Sequence, residues 1–195
     1  AGTADIARDI RKRFATLRRS TAYVSWRKRN AFARELSDLA ELIQTRVAPD
    51  DPGEGFELLW AFLQLAPSIY ERCDDSSGTI GGVMDDAMQA ISDLAPRLTI
   101  DGTSLAERVF DALQDNGYGE FDGAIPALTE ALDTDGLEQL KTLAQSAQSA
   151  PLSEAALAGY DFVDDPERQS KMARDTRNLS AGMILQDVAD LQGDV

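Results

Sequence analysis

Six of the seven prolines of this chain, Pro49, Pro52, Pro96, Pro126, Pro151 and Pro166, fall between or at the start of stretches whose apolar residues recur every three or four positions. A proline ring carries no amide hydrogen and crowds the carbonyl four residues back, so each of these marks a helix end or a first helical turn. Nowhere do apolar and polar residues alternate strictly, as they would along a half-buried strand. Ala and Leu together number 50, against 16 for Val and Ile, which favours helix over strand again. The expected fold is all-α, an α-solenoid or irregular array of antiparallel helical hairpins of the HEAT or TPR kind, with about eight helices.

The spacing places these helices. Thr3 is positioned to cap a first one with Ile6, Ile10, Phe14 and Leu17 on its apolar side. A second, about Ser25 to Val47, carries Phe32, Leu36, Leu39, Ala40, Ile43 and Val47. The third, about Gly53 to Cys73, is apolar nearly all round and so belongs in the middle of a stack. Pro67 lies inside it and predicts a bend between Leu63 and Pro67. A fourth runs from about Ile80 to Leu94, and a fifth, capped by Ser104, runs through Asp115 to the turn Asn116-Gly117-Tyr118-Gly119. Pro126 sits in the first turn of a sixth, and Thr134 or Asp135 caps a seventh with Leu137, Leu140, Leu143 and Ala144. Pro166 opens a final helix whose apolar side reads Met172, Leu179, Met183, Val188 and Leu191, weakened by Gly182 and uncapped at its end. A shift of 45 residues superposes Gly78, Ile80 and Val83 on Gly123, Ile125 and Leu128, a weak trace of a two-helix repeat.

The chain is therefore expected to be a single helical-repeat domain over residues 1–195: a basic hairpin at 1–47, central repeats at 52–148 and a terminal helix at 166–191. The missing initiator Met and the uncapped last helix are those expected of a fragment of a longer protein. The longest apolar run, Leu58 to Leu63, is too short to cross a bilayer.

Charge is unevenly spread. Residues 1–46 hold 11 basic and 5 acidic side chains, the remainder 8 and 29, and the total is −15. The basic helices are expected to dock on the protein's own acidic body or on a partner. Arg8, Arg11, Lys12, Arg18 and Arg19 are the candidate partner-binding residues. Arg13, Arg27, Lys28, Arg29 and Arg34 extend the cluster, and Tyr23 and Trp26 are interleaved with it. Basic side chains mixed with aromatic rings can hold nucleic acid, but the pI near 4.3 weighs against that reading.

Chemistry has few footholds. The absence of histidine, together with a lone cysteine, excludes an imidazole base, Ser-His and Cys-His pairs, a disulfide within the chain, and zinc sites built on these ligands. Asp74-Asp75-Ser76-Ser77 could offer oxygens to a hard cation but lacks the calcium-loop spacing, and the expected role is to cap the next helix. Cys73, beside Arg72 and two aspartates, reads as core. Gly117-Tyr118-Gly119-Glu120-Phe121-Asp122-Gly123 does not follow a strand as a dinucleotide fingerprint would, so Tyr118 and Phe121 are expected to plug a gap between hairpins. No catalytic, cofactor or metal residue is assigned.

Four strings, Tyr23-Val24-Ser25-Trp26-Arg27, Glu57-Leu58-Leu59-Trp60-Ala61-Phe62-Leu63, Glu71-Arg72-Cys73-Asp74-Asp75-Ser76-Ser77-Gly78 and Tyr118-Gly119-Glu120-Phe121-Asp122-Gly123, resemble an uncharacterised bacterial helical-repeat family, a domain of unknown function. The resemblance spans about Tyr23 to Leu143. It implies a helical fold and a bacterial cytoplasmic setting, and carries over no functional residue. The expected function is a non-enzymatic scaffold that binds a protein or peptide, without cofactor. The alternative is binding of nucleic acid or another anionic partner through the basic N-terminal helices.

Overall fold

A computed structural model describes residues 2–114 and 119–193. Among them the chain is all-α, with neighbouring helices packed antiparallel. In chain order the helices are α1 (Thr3–Arg19), α2 (Arg29–Leu42), α3 (Pro52–Leu63), α4 (Ala66–Arg72), α5 (Thr79–Leu94), α6 (Gly102–Gln114), α7 (Ile125–Glu130), α8 (Thr134–Ser149), α9 (Glu154–Ala158) and α10 (Pro166–Gln192). The only strand-like feature among the described residues is an isolated parallel bridge between Val24 and Cys73.

The helices form two compact units, one from residues 1–100 and 115–131, the other from 101–114 and 132–195. In the first unit, α3 is the central helix, as its all-round apolar sequence requires. Phe56, Leu58, Leu59, Phe62 and Leu63 are wholly buried, and α3 packs against both α1 and α5. The Phe14 ring of α1 meets Phe62 at 6.0 Å, and Trp60 meets Phe121 at 4.6 Å. The expected bend at Pro67 is a complete break: α3 ends at Leu63, and Pro67 stands in the first turn of α4, where its missing amide costs no helical bond. In place of one helix from Ser25 to Val47 there is a 3₁₀ turn at Trp26–Lys28, then α2, then a π-helical turn at Ile43–Val47.

In the second unit, α8 packs between α6 and α10. Arg177 of α10 donates to the carbonyls of Gln148 and Ala150 at the end of α8, satisfying carbonyls that the helix itself leaves open.

Several expected caps lie elsewhere. Gly2 precedes α1, and the Thr3 hydroxyl instead donates to Asp50 at 2.8 Å. Asp101 accepts from the Ser104 amide at 3.1 Å, and Asp133 from Gly136 at 2.7 Å, so neither Ser104, Thr134 nor Asp135 caps its helix. A capping side chain must stand outside the helix to reach an amide in its first turn, and Ser104, Thr134 and Asp135 are already inside. Gly193, at φ 72°, closes α10, the helix expected to be uncapped. The expected apolar side of α10 is also corrected. Ala173, Ala181, Ile184 and Val188 face inward, whereas Leu179, Met183 and Leu191 are exposed. Apolar residues lie on more than one side of this helix, and packing against α8 selected the side with the smaller side chains. The turn Asn116-Gly117-Tyr118 lies outside the described residues.

Candidate functional site

The basic helix α1 buries Ala7, Ile10, Phe14 and Leu17 and turns all five candidate cations to solvent. They have different partners. Arg8 pairs with Asp5 of its own helix and Arg11 with Glu54 at the start of α3, a hydrogen bond that raises the Arg11 pKa further. Lys12, Arg18 and Arg19 enter no ion pair among the described residues. An open cleft beside α1 is lined by Ile6, Asp9, Ile10, Arg13, Leu42 and Arg46, mixing one acid with two bases.

After Arg19 the chain leaves the helix at Ser20 and reaches the 3₁₀ turn through Ser25, both in extended backbone, with Val24 bridged to Cys73 between them. Tyr23 and Trp26 are 67% and 68% exposed there, with Arg27 and Lys28 also in solvent. The segment is held from below. The Val24 amide donates to the Arg72 carbonyl at 2.8 Å, and the Arg72 guanidinium donates to the Ala22 carbonyl at 3.1 Å. Arg29, at the first turn of α2, stands 5.8 Å from the Trp26 ring centre, and Arg72 stands 5.1 Å from that of Phe32. Both arginines are more than nine-tenths buried, and each keeps a buried Nε without a hydrogen-bond partner among the described residues.

Sequence reasoning counted Arg29 among the surface cations and passed over Arg72 as a neighbour of Cys73. The usable signal was Phe32, three residues after Arg29 and hence on the same side of α2, but nothing in the sequence joins that side to the end of α4.

Cys73 is buried, and burial pushes its thiol above the ordinary value. Asp75 and Asp74 push in the same direction, while Arg29 and Arg72 pull it back. The Asp74–Ser77 loop is a capping device. The Asp75 carboxylate accepts from the amides of Ile80 at 2.7 Å and Gly81 at 2.8 Å, and Asp74 accepts from Ser76 at 2.9 Å. Among the described residues no group of three acidic or cysteine side chains is placed to hold a metal ion, and no helix is long and apolar enough to cross a membrane. Phe121 is buried against Trp60, as a plug would be. Tyr118 lies outside the described residues.

The chain belongs to a family of unknown function, DUF6880, which matches residues 1–195. No curated protein and no solved structure matches it.

Proposed function

We propose that this chain is a non-enzymatic helical scaffold that holds a protein or peptide partner, within a helical-repeat protein of the bacterial cytoplasm. The observation that carries the reading is the exposed pair Tyr23 and Trp26, set among Arg27, Lys28 and the end of α1. Trp, Tyr and Arg are the side chains that anchor protein interfaces, because a large rigid ring gives up much hydrated surface for little entropy. The non-enzymatic part rests on the sequence: with no histidine, and with the one cysteine buried and its pKa raised, an imidazole base and a ready thiolate are missing.

Lys12, Arg18 and Arg19, without an ion pair among the described residues and exposed as Tyr23 and Trp26 are, favour a second reading, nucleic-acid binding. The net charge of −15 opposes it, since phosphate would be repelled from all but one edge. Two measurements separate the readings. Affinity capture should recover a specific protein with the wild-type chain and lose it with the Tyr23→Ala/Trp26→Ala variant. A fluorescent oligonucleotide should show negligible binding at about 0.15 M salt, whereas micromolar binding that falls steeply with salt would promote the second reading.

A further inference from the structure

Six large apolar side chains stand exposed among the described residues, and four of them, Phe162, Leu179, Met183 and Leu191, belong to α10 and the loop that leads into it. α10 packs on α8 and α9 and buries Ala173, Ala181, Ile184 and Val188. Arg168, Leu179, Met183 and Asp190 are turned to solvent. Steps of eleven, four and seven residues set these four along one side of the helix. Beside that stripe the Tyr160 and Thr176 hydroxyls are hydrogen-bonded, and Gln169 donates to the Tyr160 carbonyl at 3.1 Å. The Phe162 ring stands 6.1 Å from that of Tyr160, so the two rings lie along the first half of α10. Charge is divided along the same helix. Residues 166–178 hold four basic and two acidic side chains, whereas residues 179–192 hold two aspartates and no base. Lys171 is engaged with Asp175 at 2.7 Å, but Arg168 enters no ion pair among the described residues.

We propose that this side of α10 pairs with the same side of a second copy of the chain, the two helices running antiparallel about a twofold axis between Leu179 and Met183. A copy running in the opposite direction sets the basic half of one α10 against the acidic half of the other, whereas a parallel copy would set like against like. With the axis there, Leu179 of one copy meets Met183 of the other, and Asp190 comes within about one helical turn of Arg168. Leu191 reaches the level of Lys171, where the Tyr160 and Phe162 rings of the other copy lie. The same exposed apolar side chains thus supply both sides of the contact, as a twofold interface requires. The patch is small and two bodies of −15 repel each other, so the dimer is weak, with a Kd of about 10–100 µM. This pairing does not rest on the reading of the Tyr23 and Trp26 surface.

Sedimentation equilibrium of the whole chain tests this. At about 1 µM the mass should be that of the 21.2 kDa chain, and it should rise toward twice that value by about 0.5 mM. Met183→Asp should weaken association about tenfold or more, because the contact would then bury a charge without a partner. At about 1 µM, where the chain is a monomer, the same variant should melt at the wild-type temperature, since its side chain faces solvent. Arg168→Asp and Asp190→Arg should each weaken association about threefold or more. The double variant Arg168→Asp/Asp190→Arg should recover most of that loss, because opposite charges again face each other across an antiparallel pair. A chain that stays monomeric at about 0.5 mM, or association untouched by Met183→Asp, would overturn the proposal. So would a double variant no stronger than the single ones, which would show that the two helices do not run antiparallel.

Discussion

At the scale of single residues, two glycines in helices make opposite predictions. A Cβ on Gly55 would lie 2.6 Å from the Ala48 Cβ and 2.8 Å from its Cα, backbone that cannot swing aside. The close approach of α3 to Ala48 needs this glycine, so Gly55→Ala should destabilise by about 1–3 kcal/mol despite the better helix propensity of alanine. Gly82 in α5 has nothing beyond its own helix within 4 Å of such a Cβ among the described residues, and Gly82→Ala should stabilise by roughly 0.5–1 kcal/mol. Urea titrations of both variants check the pair of signs. A second residue-scale prediction follows from Cys73 and Tyr70. Burial, aided by Asp75, raises both above their ordinary 9.0 and 10.0. The folded state therefore keeps these protons after the unfolded chain has released them. The stabilisation is whole below about pH 9 and is lost as pH climbs through the raised values. Melting temperature should fall through this alkaline range, and Cys73 should be alkylated more slowly than a free thiol at pH 8.

At the scale of elements, α10 separates the two meanings of an apolar residue. Ile184 and Val188 are buried, whereas Leu179 and Met183 are 67% and 63% exposed. Ile184→Ala should cost about 2–5 kcal/mol through lost burial and the cavity left behind. Leu179→Ser and Met183→Ser should each stay within about 0.5 kcal/mol. Thermal melts decide this, and a large loss for the exposed pair would place them in a contact. The longer helices and most of their punctuation were legible in the sequence, since Pro126 and Pro166 marked first turns, but Pro67 was read as a bend where the chain breaks into α3 and α4, and the five-residue α9 is too short to show a period. The inward side of α10 was not legible. Its apolar residues occur on several sides, and only the surface of α8 selects among them. The caps were displaced by one to three residues for a related reason. Asp101 and Asp133 do their work from outside the helices, where periodicity has no grip.

At the scale of the whole molecule, electrostatics is dominated by the surplus of 34 acidic over 19 basic side chains. The pairs Arg8–Asp5, Arg11–Glu54 and Lys171–Asp175 are all partly or largely exposed, and pairs of that kind contribute about 0–1 kcal/mol. Salt weakens these attractions, but it weakens the self-repulsion of a −15 body more. Raising sodium chloride from about 0.02 to 0.5 M should therefore raise the melting temperature. A fall would mean that the specific pairs outweigh the net charge.

Periodicity, proline placement and the scarcity of β-branched residues determined by themselves that this chain is helical, that α3 is central and that α1 carries its cations on the outside. These are properties of one helix and its own sides, and they are written at three- and four-residue spacing. Only the tertiary structure decided that α6 and α8 share a unit while residues 119–131 belong with the first. It alone brought Arg72, at the end of α4, to the chain at Ala22 and to the Phe32 ring, 50 and 40 positions earlier. The physical reason is that charge is assigned to a residue by its type, but its cost and its use are set by what surrounds it. For Arg29 and Arg72 those surroundings come from segments that no local pattern connects.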